Sequence, residues 1–201
     1  MPSQRRVLLA TNNPGKVREF KRLLAASGFE AVTPAELGLA LEVEETGMTY
    51  AENAALKAEA FAKAGNCLAL ADDSGIEVDA LGGKPGMYSA RYGGQALDDA
   101  GRTSLLLRDL EAVPADERGA RYRAVVALGW PTGETRCCFE GKQEGSIAQA
   151  PRGERGFGYD PIFLVAGGRM QAELSDDEKD RISHRGQAVR AAVEWLREHC
   201  Q

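Results

Sequence analysis

The sequence Cys67-Leu-Ala-Leu-Ala-Asp72-Asp73-Ser74-Gly75 is the stretch on which the interpretation of the whole chain depends. Its five small or apolar residues predict a short buried strand that ends in a turn. Two adjacent carboxylates, a hydroxyl and a glycine then lie beyond the strand's end, where open α/β sheets bind their ligands. Because the carboxylates repel each other, solvent, a basic side chain or a divalent metal must stabilise them. A solvated turn is the alternative, since Asp, Ser and Gly all favour turns.

A second candidate site lies near the N-terminus, where the apolar residues 7–10 lead into Thr11-Asn12-Asn13-Pro14-Gly15-Lys16 and a predicted helix. Asn13 is a suitable N-cap, and Pro14 fits the first helical position. The free N–H groups of such a helix start, together with the charge of Lys16, can bind a phosphate. The stretch is not a P-loop, because it lacks the upstream glycine and the Ser or Thr after the lysine. A capped turn with a surface lysine is the alternative.

Further candidate ligands follow in the next segment of the chain. The stretch Glu42-Val-Glu44-Glu45-Thr46-Gly47 is either a solvated charge run or the source of a metal ligand. Thr49 and Glu52 then fit a capping box that begins a second helix. Asn53 and Lys57 are four residues apart on this helix, so their side chains share one face and can point into a site together.

An aromatic, glycine-rich segment lies later in the chain. Gly156-Phe157-Gly158-Tyr159-Asp160-Pro161 offers a flat ring beside flexible backbone. Such a segment suits stacking on a nucleobase, although a packed hairpin corner has the same composition. A second capping box, formed by Ser175 and Glu178, predicts a short helix that carries Lys179. His184 and Arg185 fall in the first turn of the last predicted helix.

The remaining patterns predict an α/β protein of one domain, residues 1–201. Strands are expected at 30–33, 121–130, 134–142 and 162–165, and a helix at 98–110. The composition, 43% hydrophobic and 27% charged residues, argues against disorder. The net charge of −5 disfavours a role in coating nucleic acid, because no basic excess is available to neutralise its phosphates.

Membrane insertion and secretion are not expected either. No apolar run approaches the roughly 20 residues of a membrane-spanning helix, and the apolar stretch near the N-terminus is too short for a signal peptide. The four cysteines show no CxxC spacing, which favours reduced thiols over a zinc site. The sequence therefore predicts a cytoplasmic protein that binds neither membranes nor nucleic acid.

A phosphate-binding loop, a group of carboxylates and a stacking ring together predict a nucleotide ligand, and in these motifs the sequence resembles the Ham1-like family of inosine triphosphate pyrophosphatases. The matching stretches span almost the whole chain and are Thr11-Asn12-Asn13-Pro14-Gly15-Lys16, Glu44-Glu45-Thr46-Gly47, Glu52-Asn53-Ala54, Ala71-Asp72-Asp73-Ser74-Gly75, Pro85-Gly86-Met87-Tyr88-Ser89-Ala90-Arg91-Tyr92, Gly156-Phe157-Gly158-Tyr159-Asp160-Pro161 and Ser183-His184-Arg185-Gly186. One departure is Asn12, where many members carry glycine. Asparagine tolerates left-handed backbone better than most residues, so little depends on this difference.

The resemblance implies an α/β fold with a long mixed central sheet flanked by helices, in two lobes with the active site in the cleft between them. It also implies a Mg²⁺-dependent homodimer that hydrolyses ITP, dITP and XTP to the monophosphate and pyrophosphate. One alternative is a Maf-like pyrophosphatase that prefers pyrimidine or modified bases, against which the motifs at 157–160 and 183–185 argue. The other is a nucleotide sensor without catalytic activity, against which the intact acidic residues argue.

The resemblance also assigns roles to individual residues. Asp73 would be the base that activates water, and Glu45 and Asp73 would bind Mg²⁺ with Asp72 nearby. Arg185 would donate to the 6-oxo group of hypoxanthine or xanthine, at the position where adenine carries an amino group. The residues that would contact substrate are Thr11, Asn12, Asn13, Pro14, Gly15, Lys16, Lys57 and Ser74, with Phe157, Gly158, Tyr159, Asp160, Lys179, His184 and Arg185 forming the base pocket.

Overall fold

The computed structural model describes residues 5–25 and 27–199. Cys200 and the side chain of Cys137 lie outside that description, and within it Cys67 and Cys138 are not in a disulfide. The helices are α1 (Pro14–Leu24), α2 (Tyr50–Gly65), α3 (Asp99–Asp109), α4 (Asp176–Ile182) and α5 (His184–His199), and the strands are β1 (Arg5–Leu9), β2 (Phe29–Val32), β3 (Ala69–Val78), β4 (Gly119–Gly129), β5 (Thr135–Ile147) and β6 (Phe163–Leu164).

The six strands form one sheet in the order β2-β1-β3-β4-β5-β6. β1 pairs in parallel with β2 and with β3, whereas β5 and β6 pair antiparallel. Helix α1 lies between β1 and β2 in the chain, as the connection between two parallel strands requires. The predicted α/β fold with a mixed central sheet is therefore confirmed.

Strand β3 is longer than the sequence patterns predict. It does not end before Asp72 but continues through Asp73, Ser74 and Gly75 to Val78. Asp72 and Asp73 are only 1% and 4% exposed. No turn into solvent is needed, because lysine and arginine side chains from α1, α2 and α5 neutralise the two carboxylates inside the fold. The expected turn at 72–75 is thus wrong.

The chain divides into two compact units. Unit 1 consists of Met1–Asp73, Ala124–Gly141 and Arg185–Gln201, and unit 2 consists of Ser74–Arg123 and Lys142–His184. Strands β3, β4 and β5 each contribute residues to both units.

Each unit has its own hydrophobic core. In unit 1, α1 and α5 bury apolar side chains spaced three or four residues apart against the strands, as amphipathic helices do; this core includes Val7, Leu9, Phe20, Leu24, Leu70, Val126, Leu128, Val189 and Leu196. In unit 2, α3 packs on the ends of β3 and β4 and on the chain around β6; this core includes Ile76, Val78, Leu106, Leu110, Tyr122, Ile147, Ile162 and Phe163.

The predicted helix starts are confirmed by their caps. Asn13 and Thr49 each accept a hydrogen bond from the backbone N–H three residues on, at 3.1 Å. Ser175 and Glu178 form the complete capping box at the start of α4. At the start of α2, by contrast, the carboxylate of Glu52 accepts from Met48 N, and the cap is Thr49 alone. Among the described helices, none combines the length and apolarity that crossing a membrane requires.

Candidate active site

The loop between β1 and α1 is fixed by its own side chains. Thr11 Oγ1 accepts a hydrogen bond from Asn13 N at 3.1 Å, and Asn13 Oδ1 accepts from Lys16 N at the same distance. Asn12 donates from Nδ2 to the Leu41 carbonyl at 3.2 Å, and its φ is not positive. Asn12 therefore suits this position through a side-chain hydrogen bond and not through left-handed backbone. The loop presents the positive end of α1, which favours a bound anion.

Asp72 lies in a buried ion cluster of unit 1. Its Oδ1 is 2.9 Å from Lys16 Nζ, and its Oδ2 accepts from Arg185 Nε at 3.1 Å and Nη2 at 2.9 Å. Burial alone would raise the pKa of Asp72, but Lys16 and Arg185 hold it well below its usual range. Both oxygens of this carboxylate are thus occupied by cations.

Glu19 is a member of the cluster that the sequence patterns do not indicate. It is buried, and its Oε2 lies 2.5 Å from Arg185 Nη1. Burial lowers the pKa of Arg185, but Asp72 and Glu19 together raise it above its ordinary value, so the guanidinium stays charged. The sequence offers one indication that Glu19 belongs to this cluster: it lies three residues after Lys16, and residues three apart share a helix face.

Asp73 follows Asp72 in β3, so the two side chains point to opposite faces of the strand. Asn53 Nδ2 donates to Asp73 Oδ2 at 3.3 Å, and Lys57 Nζ lies 3.5 Å from Asp73 Oδ1. Lys57 also binds the carboxylate of Glu45. As predicted, Asn53 and Lys57 lie on one face of α2, and both contact Asp73.

Gly47 brings the acidic loop close to α2. Its N–H donates to Asn53 Oδ1 at 2.8 Å. A Cβ at position 47 would lie 2.6 Å from the Cβ of Glu52 and 2.7 Å from Asn53 Oδ1, which is too close for any side chain. Glycine at this position therefore allows the contact that places Glu45 beside Lys57.

Glu45 and Asp73 are the residues that fit a divalent metal. Both contact the ammonium of Lys57, Glu45 directly and Asp73 with its Oδ1 at 3.5 Å from Nζ. Burial raises the pKa of Asp73, and Lys57 offsets this effect only in part. No group of three or more His, Cys, Asp or Glu residues suited to a metal occurs in the described part of the chain. Two carboxylates still suit Mg²⁺, which takes its remaining ligands from substrate phosphates and water.

Asp160 organises the aromatic segment in unit 2. Its Oδ2 accepts from Phe157 N at 2.9 Å and from Lys179 Nζ at 2.5 Å. Its Oδ1 accepts from Gln171 Nε2 at 3.0 Å and from Tyr122 OH at 3.4 Å. These four hydrogen bonds use the acceptor positions of a carboxylate, so Asp160 holds the segment and Lys179 in place.

The other predicted base-pocket residues of unit 2 are held by contacts of their own. The His184 ring stacks on Tyr122 with centroids 4.6 Å apart and an interplanar angle of 8°. Tyr159 is buried and donates from its hydroxyl to the Ser89 carbonyl at 2.8 Å. Phe157 and Gly158 are more exposed, and Lys179 Nζ lies 5.2 Å from the Phe157 ring centroid.

The structure therefore sorts the predicted residues into two groups. Unit 1 brings together Lys16, Glu45, Lys57, Asp72 and Asp73. Unit 2 holds Ser74, which directly follows Asp73 in β3, and brings together Phe157, Asp160 and Lys179 around the aromatic segment. Arg185, which the resemblance places in the base pocket, contacts Asp72 and Glu19 in unit 1. Tyr122 and Gln171 were missed, because nothing in their neighbouring sequence distinguishes them from core and turn residues.

Comparison with known proteins identifies the family of the chain. The model of the Ham1 family matches residues 7–195. The chain is 49% identical to a dITP/XTP pyrophosphatase of Bacillus subtilis, covering 94% of this chain and 96% of the relative. It is 52% identical to a dITP/XTP pyrophosphatase of Thermus thermophilus, covering 94% and 90%.

Solved structures show the same relationship. A HAM1 protein from Coxiella burnetii is similar with a TM-score of 0.85 and 40% identity, covering 96% of this chain and 99% of that chain. The family match extends over nearly all of the sequence and includes every residue of the ion cluster and of the aromatic segment. The chain therefore belongs to the Ham1 family.

Proposed function

We propose that the protein hydrolyses the triphosphates of deaminated purines, ITP, dITP and XTP, to the nucleoside monophosphate and pyrophosphate, and so removes them from the nucleotide pool. The observation that carries this proposal is the assembly in unit 1 of Lys16 and Asp72 beside Lys57, Glu45 and Asp73. Relatives named dITP/XTP pyrophosphatase, at about half identity over nearly the full length, support the choice of substrate.

Asp73 is the residue proposed to activate water. A water molecule that attacks phosphorus must lose a proton while negative charge builds on the phosphate oxygens. In the metal-free protein, burial raises the pKa of Asp73, which favours proton acceptance by its carboxylate. Asn53 and Lys57 contact its two oxygens and hold the carboxylate in one orientation.

Lys16 and the amino end of α1 are proposed to bind the pyrophosphate that leaves. The helix terminus and the ammonium both stabilise negative charge that grows as the bond breaks. Asp72 holds Lys16 Nζ at 2.9 Å and is itself held by Arg185. These two residues therefore orient Lys16, with the rest of the loop 11–15 supplying its backbone.

Mg²⁺ is the proposed cofactor, held by Glu45 and Asp73. When bound, it would neutralise negative charge on the phosphate oxygens. Asp72 is the poorer ligand of the acidic pair because Lys16 and Arg185 already occupy both its oxygens.

Base recognition is proposed to rest on the aromatic segment, with Phe157 stacking on the purine. Donors from Lys179 and His184 would suit the 6-oxo group of hypoxanthine and xanthine, whereas the buried guanidinium of Arg185 is held by Asp72 and Glu19. Adenine has an amino group there, so a donor would face a donor and both would lose a hydrogen bond.

We further propose a homodimer that works in the cytoplasm, where the nucleotide precursors are used. Sedimentation equilibrium tests the first point, with twice the 21.6 kDa chain mass as the expected result. A monomer at all concentrations would contradict it. Fractionation of cells that express the protein at native level tests the cytoplasmic location.

The decisive experiment measures pyrophosphate release from ITP, dITP, XTP, GTP, ATP, dTTP and UTP, with and without Mg²⁺. We expect ITP, dITP and XTP to be hydrolysed far faster than the rest, and no turnover without the metal. A preference for UTP or dTTP would favour a Maf-like activity. Binding without turnover would favour a nucleotide sensor.

Asp73→Asn is the matched variant for this experiment. The amide keeps the shape of the Asp73 side chain and its contact with Asn53 but cannot accept the proton of the attacking water. We therefore expect turnover to fall by about 10²-fold or more. The circular dichroism spectrum should stay unchanged. Near-normal turnover would remove Asp73 from its proposed role.

A further inference from the structure

The backbone of Gly158 is held on both its polar groups by side chains of α3. Gly158 N donates to Asp99 Oδ2 at 2.9 Å, and the Gly158 carbonyl accepts from Thr103 Oγ1 at 3.4 Å. Asp99 and Thr103 are four residues apart, so both side chains lie on the face of α3 that meets the aromatic segment. One helix thus fixes a single glycine at two points.

Helix α3 is itself firmly placed within unit 2. Asp98 caps it by accepting from Gly101 N at 2.8 Å, and Leu106 is fully buried in the core of unit 2. Arg102 Nη1 lies 3.5 Å from Asp99 Oδ1, which leaves Oδ2 directed at Gly158. A helix anchored at its cap and in the core is a rigid support for the segment that it contacts.

The opposite side of Gly158 is open. Its φ is +62°, and, apart from its two chain neighbours, no described residue places an atom within 4 Å of the position that a Cβ would take. The adjacent Phe157 is partly exposed, with its N–H fixed by Asp160. The N–H groups of Phe157 and Gly158 are therefore held by Asp160 and by Asp99 of α3, whereas the space beside the Gly158 Cα is open.

We propose that Asp99 and Thr103 are positioning residues for base recognition: they fix Gly158 so that the ring of Phe157 is oriented before the nucleotide binds. This inference rests on the proposed function, because it assigns the aromatic segment to the purine. Orienting the segment in advance removes the entropy cost of ordering it on binding. Loss of either contact should weaken binding of the base and leave the phosphate steps unchanged.

The test compares two variants with two matched controls. Thr103→Val removes a hydroxyl at constant shape, and Ser104→Ala removes the neighbouring hydroxyl, which donates within α3 to the Ala100 carbonyl. Asp99→Ala removes the acceptor for Gly158 N. Asp98→Asn removes a charge from the same helix end while keeping a good N-cap.

Three kinds of experiment are done on each protein: steady-state kinetics for KM and kcat with dITP, inhibition by inosine monophosphate and by inorganic pyrophosphate, and amide hydrogen exchange of residues 156–160. In both variants we expect KM for dITP and the inhibition constant of inosine monophosphate to rise roughly three- to tenfold, the effect of one lost hydrogen bond. The inhibition constant of pyrophosphate and kcat should stay within about twofold, and exchange at residues 156–160 should accelerate. Both controls should match the wild type.

The outcomes separate this inference from the proposed function. Accelerated exchange with unchanged KM and inosine monophosphate inhibition would overturn the positioning role while the pyrophosphatase activity stands. Unchanged exchange would show that Asp99 and Thr103 do not hold the segment, whatever the substrate is. A wild-type protein that neither hydrolyses dITP nor binds inosine monophosphate would overturn both.

Discussion

Asp72 shows how two adjacent carboxylates can lie inside a sheet. Burying an isolated carboxylate costs far more than a fold can tolerate, yet Asp72 is almost fully buried because Lys16 and Arg185 contact both of its oxygens. Glu19 binds Arg185, so the two cations Lys16 and Arg185 are matched by two carboxylates, those of Asp72 and Glu19. The cluster is thus a set of mutually dependent charges, and removing one member leaves the others buried and unbalanced.

Asp72→Asn should therefore destabilise the protein strongly. The amide keeps the shape of the carboxylate but leaves Lys16 and Arg185 with one fewer negative charge, and breaking a buried pair in this way costs about 3–5 kcal/mol. The free energy of unfolding in urea measures the loss. Glu30→Gln is the control, because Glu30 forms an exposed pair with Arg6 worth less than about 1 kcal/mol. Equal effects of the two substitutions would contradict the role assigned to Asp72.

The sequence predicted the members of the charged site better than their pairing. Asn53 and Lys57 were found from helix spacing, because residues four apart always share a face. The contact of Arg185 with Asp72 joins residues 113 positions apart, and no local pattern carries that information. The expected turn at 72–75 failed for the same reason, since the strand depends on cations that come from distant helices.

Gly156 gives a second test at the scale of one residue. Its φ is +78°, and a Cβ there would lie 1.9 Å from Asp160 Oδ2. Gly156→Ala should combine left-handed strain of about 1–2 kcal/mol with displacement of Asp160, and so release Phe157 N and Lys179. Gly158→Ala is the matched control, because its backbone is also left-handed but its Cβ meets open space. Thermal unfolding should show a clearly larger loss for Gly156→Ala, and equal losses would contradict the steric argument.

Among the elements of the fold, helix starts are the ones that local sequence determines. Asn13 and Thr49 cap α1 and α2 as predicted, because a cap depends on residues only three apart. Strand lengths were predicted less well. β5 extends to Ile147, beyond the expected end at 142, because a strand continues as long as its neighbours offer hydrogen bonds, and those neighbours are distant in sequence.

Helix α4, which carries Lys179, should lose stability in acid through its capping box. Hydrogen bonds from Arg169 and from Ser175 lower the pKa of Glu178 to about 2 from its ordinary 4.5. A carboxyl whose pKa is lower in the folded state stabilises the protein above the unfolded pKa, and this contribution is lost as the pH falls from about 4.5 towards 2.

The difference in unfolding free energy between wild type and Glu178→Gln should therefore be largest near pH 6 and should shrink progressively below pH 4.5. Urea unfolding at a series of pH values measures it. Arg169→Gln separates the ion pair from the cap, since it removes only the contact at 2.8 Å. A pH-independent difference would mean that Glu178 acts through its shape and not through its charge.

At the scale of the whole molecule, the chain crosses between its two units inside strands. β3, β4 and β5 each begin in one unit and end in the other, whereas independent domains are normally joined by exposed linkers. This continuity supports the proposal of a single domain, residues 1–201, although each unit has a hydrophobic core of its own.

A single cooperative unfolding transition is the expected consequence. Both tryptophans, Trp130 and Trp195, lie in unit 1 with ring centroids 5.9 Å apart, so tryptophan fluorescence reports on that unit alone. Far-ultraviolet circular dichroism reports on both units. The two signals should give the same midpoint in urea, as two-state unfolding requires. A fluorescence transition that precedes or follows the other would indicate two independently stable domains.

The alternation of β3 also constrains how this gene can change over evolution. Asp72 contacts Lys16 and Arg185, whereas its neighbour Asp73 contacts Asn53 and Lys57. Two consecutive codons therefore specify carboxylates with different partners on opposite faces of the strand. Apolar exchanges among residues 69–71 preserve this arrangement. Loss or gain of one codon there would turn every following side chain to the other face of the strand, and a conservative point substitution should therefore be inherited far more often than a single-codon insertion or deletion.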